Sequence, residues 1–256
     1  MIELDPRASA AGVRLRSYET IDSTNAEALR LMRQGEPGPL WITAETQTAG
    51  RGRRGRKWIS VPGNLHASLL LSDPGPVAQW PQMAFVAALA VHDAVVEIAP
   101  QSRPTLALKW PNDLLLSGAK FAGILIEGEG KEEEGAVAIG IGVNCTTHPA
   151  ATAYPATDLA AGGASVAPPA LFAALSVKMP GRLAQWNRGN GFATVRADWL
   201  ARAAGLGESI RIGLADRELA GRFEGIDDAG CLVLIAPDGA KEVVAAGDVI
   251  SFAGSR

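Results

Sequence analysis

Residues 50–58 concentrate positive charge and glycine in one short segment. They read Gly-Arg-Gly-Arg-Arg-Gly-Arg-Lys-Trp, five cations and three glycines in nine positions, whereas the whole chain has a formal net charge of -3. Glycine lets the backbone approach a ligand closely, successive backbone N–H groups form an anion-binding concavity, and arginine donates paired hydrogen bonds. The segment is therefore suited to hold a polyphosphate or a carboxylate. A solvated basic turn or a nucleic-acid contact is the alternative.

A second group of polar residues follows a short predicted strand at 106–110. The segment 109–113 reads Lys-Trp-Pro-Asn-Asp, and Lys120 comes seven positions after Asp113. Ligand-binding residues commonly gather at strand ends. A carboxylate and a lysine at this spacing could place a metal ligand and a cation on adjacent strands of a hairpin. An ordinary hairpin with one exposed lysine is equally compatible with the spacing.

The composition is that of a globular protein with a sizeable core. The chain has 256 residues, of which 47% are hydrophobic and 20% charged, enough for one large domain and a small one. The near-neutral charge argues against a broad nucleic-acid-binding face. No apolar stretch reaches the length of a membrane span without charge or proline, and the first residues lack the plan of a signal peptide. Cys145 and Cys231 stand far apart, which predicts free thiols in a cytoplasmic protein.

Hydrophobic periodicity predicts an α+β fold in two domains, 1–206 and 207–256. Pro180 interrupts the helical pattern of 171–186, where we expect a break. Beyond residue 207, short strands at close spacing predict a small barrel of about 50 residues. The predicted strands are 13–19, 40–44, 65–71, 106–110, 123–127, 136–143, 208–213, 222–225, 231–236, 241–244 and 249–252, and the helices are 26–32, 79–98, 171–186 and 192–203.

Five segments together resemble the biotin protein ligases, and they occur in the order and spacing of that family. The resemblance covers residues 13–144 strongly and extends to the C-terminal barrel in character. The segments are Asp22-Ser23-Thr24-Asn25, residues 47–58, residues 109–113, Lys120-Phe121-Ala122-Gly123-Ile124-Leu125 and Gly140-Ile141-Gly142-Val143-Asn144.

The resemblance implies a fold, a reaction and a set of substrates. The fold is a central mixed β-sheet flanked by helices, similar to class II synthetases, followed by a small SH3-like barrel. The reaction is ATP-dependent ligation of biotin to a specific lysine of a biotin carboxyl carrier protein or carboxylase carrier domain. It passes through biotinyl-5′-AMP and releases pyrophosphate and AMP. The implied ligands are ATP and biotin, together with Mg²⁺.

The resemblance also assigns expected roles to individual side chains. Lys120 would bridge the biotin carboxylate and the α-phosphate, while Arg53 and Arg56 would order the loop over the phosphates. Asp113 would either hold Mg²⁺ or orient the acceptor lysine, and these two roles stay open. Expected biotin contacts are Ser23, Thr24, Gln47, Gly50, Arg51, Lys120 and Gly123. Expected ATP contacts are Arg53, Arg56, Trp58, Asn112 and Asn144.

Simpler structural roles compete for several of these residues. Ser23 has the chemistry of a helix N-cap, Trp58 could belong to the rim or the core, and Asn144 could satisfy backbone groups beside the sheet. His66 is interpreted as a wall residue and not as an acid–base group. Residues 49–57 are expected to be mobile before ligand binds and to be ordered by anions, because their glycines and like charges give them little to pack on.

Three other function classes compete with biotin ligation, and one of them, a catalytically inactive carrier-binding module, is disfavoured by Lys120 and the arginine segment. A lipoate ligase or an octanoyltransferase shares the fold, and an octanoyltransferase would need a nucleophilic cysteine, for which Cys145 is the candidate. A biotin-sensing repressor would carry an N-terminal DNA-binding domain, and none fits before Val13. We therefore expect no DNA and no membrane partner, and either a monomer or a homodimer.

Overall fold

A seven-stranded mixed β-sheet forms the centre of the protein in the computed structural model, which describes residues 2–132, 134–152 and 154–252. The order of its strands is β1-β2-β3-β7-β6-β5-β4, with β1 and β2 parallel and the other neighbours antiparallel. The strands are β1 (Arg14–Ile21), β2 (Leu40–Gln47), β3 (Leu65–Ser72), β4 (Leu106–Lys109), β5 (Asp113–Leu116), β6 (Ala119–Lys131) and β7 (Glu134–Val143). Strand β5 was not predicted, because four residues soon after a proline show no readable alternation.

Helices cover both faces of this sheet. They are α1 (Pro6–Ala10), α2 (Thr24–Arg33), α3 (Met83–Ile98), α4 (Pro168–Trp186) and α5 (Phe192–Leu200). Successive residues of a strand point to opposite faces. Accordingly, Leu69 of β3 packs in the large core with α3 and α4, whereas Leu70 packs in a smaller core with Ala28 and Leu31. Helix α2 therefore lies on the opposite face of the sheet from α3 and α4.

Helix α4 runs without interruption through Pro180, so the predicted break in this helix is wrong. A proline inside a helix removes one N–H donor and costs roughly 3 kcal/mol. Leu175 and Met179, one turn apart, are both fully buried against the large core. Burial of two such side chains contributes about 1.5–3 kcal/mol each, which is enough to offset the cost of the proline.

The segment Val77–Ile98, which contains α3, is long and apolar enough to cross a membrane by length and composition. Here, however, 72% of its most apolar stretch is buried inside the protein. Its side chains form the middle of the large core, where Phe85 meets Phe192 and Trp199 in edge-to-face contacts. The apolar character of the segment is thus accounted for by its packing between the sheet, α4 and α5.

A second, smaller sheet follows the helices. Its strands are β8 (Ser209–Gly213), β9 (Glu218–Ile226), β10 (Leu232–Ile235), β11 (Lys241–Val244) and β12 (Asp248–Phe252). They are antiparallel in the order β11-β10-β9-β8-β12. The predicted fold class, a mixed sheet with helices followed by a small all-β domain, is confirmed. The exact boundary between residues 206 and 207 stays a prediction.

Candidate active site

The start of α2 and the end of β2 share a network of hydrogen bonds. Gln47, the last residue of β2, accepts through Oε1 from the backbone N–H of Thr24 at 2.8 Å and from its hydroxyl at 3.1 Å. Its Nε2 donates to Ser60 Oγ at 2.8 Å. Ser23 is the N-cap of α2, because its Oγ accepts from the N–H of Ala26 at 3.4 Å. The network fixes which end of the Gln47 amide accepts and which end donates.

Two buried residues without a predicted role extend this network across the sheet. The hydroxyl of Ser68 on β3 lies 2.8 Å from Thr24 Oγ1 and 2.6 Å from Asn25 Oδ1. Asn25 Nδ2 donates to Glu127 Oε2 at 2.9 Å. Asn25 belongs to a segment that sequence analysis singled out, whereas Ser68 follows only from strand alternation once the face of β3 is known.

Glycines of β6 and β7 leave room for side chains that lie flat on the sheet. A Cβ added at Gly142 would come within 2.5 Å of Trp58 Cε2, and one at Gly123 within 3.2 Å of Trp58 Cζ3. A Cβ at Gly140 would come within 2.5 Å of Asn25 Oδ1. A side chain at Gly142 or Gly140 would displace the indole of Trp58 or the amide of Asn25, whereas at Gly123 it would first press on the Lys120 side chain, 3.1 Å away.

Asp113, at the start of β5, lies between two lysine ammonium groups. Its Oδ1 is 2.5 Å from Lys120 Nζ, and its Oδ2 is 3.6 Å from Lys109 Nζ. The antiparallel pairing of β5 with β6 brings Asp113 and Lys120 together. Burial lowers the pKa of Lys109, whose Nζ also lies 4.1 Å from the ring centroid of Tyr154. One carboxylate thus faces two cationic groups, and Lys120 is the more exposed of the two.

The arginine loop, residues 50–58, reaches both the end of β4 and the C-terminal sheet. Arg53 Nη1 donates to Asn112 Oδ1 at 3.2 Å and to the carbonyl of Gly247 at 3.2 Å. Asp248 forms ion pairs with three arginines of the loop, including Arg53 at 3.3 Å and Arg56 at 3.0 Å. Burial lowers the pKa of Arg53. The loop is therefore held by contacts with residues distant in the sequence.

These elements enclose one cavity of about 330 Å³, a size suited to a small-molecule ligand. Gly50 is the one predicted site residue that does not line it. Gly50 is buried, and an added Cβ would come within 2.7 Å of Ser60 Oγ and 3.1 Å of Gln47 Nε2. The predicted site residues that line the cavity are Ser23, Thr24, Gln47, Arg51, Arg53, Arg56, Trp58, Asn112, Asp113, Lys120, Gly123 and Asn144.

Comparison with known proteins identifies the family to which this chain belongs. A family model described as the biotin/lipoate A/B protein ligase family matches residues 17–144, and one described as the biotin protein ligase C-terminal domain matches residues 205–250. The biotin–[acetyl-CoA-carboxylase] ligase of Paracoccus denitrificans is 44% identical over 236 residues, which are 89% of this chain and 96% of that protein. The chain belongs to the biotin protein ligase family.

Other family members agree with this assignment. The biotin–[acetyl-CoA-carboxylase] ligase of Mycobacterium tuberculosis is 35% identical, with 89% of this chain and 85% of that protein covered. The biotin protein ligase of Aquifex aeolicus in complex with biotin and ATP superposes with a TM-score of 0.78 at 26% identity, covering 94% of this chain and 99% of that one. The Leishmania major ligase in complex with biotinyl-5-AMP has a TM-score of 0.66 at 25% identity, covering 91% and 99%.

In this biotin protein ligase the connection from β7 to α4 supplies one wall of the cavity, which sequence analysis did not foresee. The backbone N–H of Lys120 donates to the carbonyl of Pro155 at 2.8 Å, and that of Thr157 donates to the carbonyl of Lys120 at 2.9 Å. Asn144 Nδ2 donates to the carbonyl of Thr157 at 3.0 Å. Asn144 therefore satisfies a backbone carbonyl, which is the structural role considered for it, and it also lines the cavity. The wall residues are Pro149, Ala151, Thr152, Tyr154 and Ala156.

Neither cysteine has the surroundings of a nucleophile in this ligase. Cys145 is fully buried, and burial raises the pKa of its thiol to about 12. Cys231 also has a raised pKa because of burial. Both are free thiols. Since the thiolate is the reactive form, the structure does not support acyl transfer through Cys145.

His66, on β3, gives a pH-dependent prediction. It is 1% exposed, and burial lowers its pKa below 6.5. The unfolded chain takes up a proton at this residue as the pH falls through 6.5, whereas the folded chain does so only at lower pH, so acid reduces the free energy of unfolding. We expect His66→Phe to remove this contribution, which is at most about 1.4 kcal/mol per pH unit. Urea unfolding of both proteins from pH 7.5 to 5 measures it, and parallel stability curves would contradict it.

Proposed function

We propose that this chain activates biotin with ATP in the cavity described above and then transfers the biotinyl group to a lysine of a biotin carboxyl carrier protein. Biotin protein ligase activity itself follows from membership of the family. The observation that supports the site assignment is that one cavity brings together a fixed amide–hydroxyl network, a lysine–aspartate pair and an arginine loop. The amide–hydroxyl network suits a neutral polar ring. The cationic groups suit a reaction that joins two anions.

The first step is attack of a biotin carboxylate oxygen on the α-phosphorus of ATP, with pyrophosphate as the leaving group. Both reactants are anionic, so their approach needs positive charge placed beforehand. Lys120 lies at the cavity surface, and its ammonium group is held at 2.5 Å by Asp113. We assign to Lys120 the bridge between the carboxylate and the α-phosphate. Arg53 and Arg56 are assigned to binding the two phosphates that leave as pyrophosphate.

Recognition of the ureido ring of biotin is assigned to the network at the start of α2. A ureido group offers one acceptor and two donors, and it needs partners that cannot reorient. The amide of Gln47 is fixed by Thr24 and Ser60, and Ser23 and Thr24 also line the cavity. The biotin carboxylate is assigned to the backbone around Gly50 and Arg51. The contact with Gly50 stays a prediction, because this residue does not line the cavity.

The adenosine part of ATP is assigned to the side of the cavity where Trp58 lies on the glycine strands. Its indole offers a flat surface for stacking, since Gly123 and Gly142 leave it room. Asn112 already accepts a hydrogen bond from Arg53, and Asn144 donates to the carbonyl of Thr157. Asn112 Nδ2 also donates to the carbonyl of Ile124, so a contact of adenine with Asn112 would share an atom that already has a partner, whereas Asn144 could offer Oδ1.

Of the two roles left open for Asp113, orientation of the acceptor lysine fits the structure better than coordination of Mg²⁺. Its two carboxylate oxygens face Lys120 and Lys109, and the described residues contain no group of three or more His, Cys, Asp or Glu side chains that could hold a metal ion. We therefore propose that Mg²⁺ enters bound to the ATP phosphates, as is common for this ion, and not on a site formed by the protein.

Titration of Mg²⁺ into the adenylation reaction tests this proposal. With Asp113→Asn we expect a lower maximal rate but an unchanged half-maximal Mg²⁺ concentration, measured at saturating ATP. Asp93→Asn, whose carboxylate pairs with Arg182 outside the cavity, is the control for a lost ion pair. A rise of tenfold or more in the half-maximal concentration for Asp113→Asn alone would make this residue a metal ligand.

The carrier is proposed to be a subunit or domain of a biotin-dependent carboxylase, because relatives at 44% and 35% identity are named for acetyl-CoA carboxylase. A cytoplasmic location is proposed from the two free cysteines, which are typical of a reducing compartment. The absence of a DNA or membrane partner, and the choice between monomer and homodimer, stay predictions.

The deciding experiment is transfer of radiolabelled biotin to a purified carrier domain in the presence of MgATP. We expect label on the carrier only when enzyme, ATP and carrier are all present. Replacing the target lysine of the carrier with arginine is the matched control and should abolish labelling. No transfer of biotin, together with transfer of lipoate or octanoate, would refute the assignment and move the chain to the related acyl-ligase class.

A further inference from the structure

The carboxylate of Asp248 lies at the centre of the arginine loop although it belongs to the C-terminal sheet. It is 3.3 Å from Arg53 Nη1, 3.5 Å from Arg54 Nη1 and 3.0 Å from Arg56 Nη2. Its side chain is only 16% exposed. One carboxylate is thus shared by three guanidinium groups, and a net charge of about two positive units remains for a ligand.

The position of Asp248 is determined by the packing of its own sheet. Asp248 begins β12 and pairs with Gly213 of β8. The preceding residue, Gly247, is so tightly packed that an added Cβ would come within 2.8 Å of Ile212 Cγ2. The carbonyl of Gly247 accepts from both terminal nitrogens of Arg53, at 3.2 and 3.3 Å. The C-terminal sheet therefore presents two fixed acceptors to the loop.

Arg53 connects this acceptor pair to the cavity. The same Nη1 that meets Gly247 and Asp248 donates to Asn112 Oδ1 at 3.2 Å. Arg53 and Arg56 both line the cavity. Without Asp248, three guanidinium groups within one short loop would repel one another, and the glycines of the loop would allow it to open. The anion expected from sequence to order this loop is thus in part supplied by the chain itself.

We infer that Asp248 is a positioning residue for the adenylation step: it holds the guanidinium groups of Arg53 and Arg56 where the ATP phosphates bind, so that the C-terminal sheet sets the affinity for ATP. This inference rests on the proposed function, which places ATP at these two arginines. Asp248 acts through the arginines and does not itself contact the reacting atoms.

Asp248→Asn tests the inference, since it removes the charge and keeps the shape. We expect a rise of about tenfold in the KM for ATP in biotin-dependent ATP–pyrophosphate exchange, with a smaller change in the KM for biotin. Asp248→Glu should recover most of the affinity. Trypsin should also cut within 51–57 faster in ligand-free Asp248→Asn than in the wild type. The exposed Asp216 lies in the same domain outside the loop contacts, so Asp216→Asn is the matched control.

The outcomes that would overturn the role of Asp248 differ from the outcome that would refute the proposed function. An unchanged KM for ATP or unchanged cleavage of the loop in Asp248→Asn would overturn it. A lower KM for ATP would also overturn it, because Asp248 would then compete with the phosphates and not position their partners. Failure of the wild type to exchange pyrophosphate with biotin would instead refute the proposed function. The proteolysis result does not depend on that activity.

Discussion

Lys120→Met is expected to reduce formation of biotinyl-5′-AMP by about 10²- to 10³-fold, the usual loss when one preorganised charge contact at a transition state is removed. Met keeps the length and apolar stem of the side chain but carries no charge. Asp113 retains Lys109 as a partner at 3.6 Å, so its buried carboxylate is not left unpaired and the protein should remain folded. Single-turnover formation of the adenylate from labelled ATP measures the effect.

The matched control for this change is Lys131→Met on the same strand. Lys131 ends β6, and its side chain is 90% exposed outside the cavity. We expect wild-type adenylation from this control. Supplying biotinyl-5′-AMP to Lys120→Met then separates the two half-reactions, and transfer to the carrier should be reduced much less than adenylation. Adenylation within threefold of the wild type would remove Lys120 from the first step.

Gly142→Ala is expected to raise the dissociation constant for ATP by tenfold or more, a loss of about 1.4 kcal/mol in binding. The added methyl group would come within 2.5 Å of Trp58 Cε2, far inside van der Waals contact. An indole is rigid, so it must leave its place on the sheet, and the proposed surface for adenine moves with it. The backbone at Gly142 is extended in β7 and accepts alanine, so the damage should be local to Trp58.

Gly181→Ala is the control for Gly142→Ala. This residue lies in α4, and nothing is within 4 Å of an added Cβ. Alanine in a helix interior is favoured over glycine by roughly 0.5–1 kcal/mol, so the control should be as active as the wild type and slightly more stable. ATP titrations followed by calorimetry, with urea unfolding of each variant, check both outcomes. An unchanged affinity for ATP in a folded Gly142→Ala protein would show that Trp58 does not form the adenine surface.

The amino-acid sequence was sufficient for the family, the fold class and most of the cavity lining. Local patterns carry this information. Short apolar runs place β3 and β7, and the residue types and spacing around Arg53, Asp113 and Lys120 can be read without knowledge of the packing. Gly50 was expected at the ligand and does not line the cavity, so its contact with the ligand stays a prediction. Its neighbours reveal the flexibility that glycine allows, but they do not reveal on which side of the loop the cavity opens.

Tertiary structure alone decided the partners that come from distant parts of the chain. Asp248 lies 192 residues from Arg56 along the chain, Ser68 lies 44 from Thr24, and Tyr154 comes from an irregular connection with no readable pattern. Such pairs depend on how sheets and loops are arranged in space, and no periodicity or spacing in one segment encodes them. Helix α4 is a further case, because its continuation through Pro180 depends on burial against the core and not on local helix propensity. The sequence thus determined which chemical groups this ligase has, and the packing decided which of them hold one another in place.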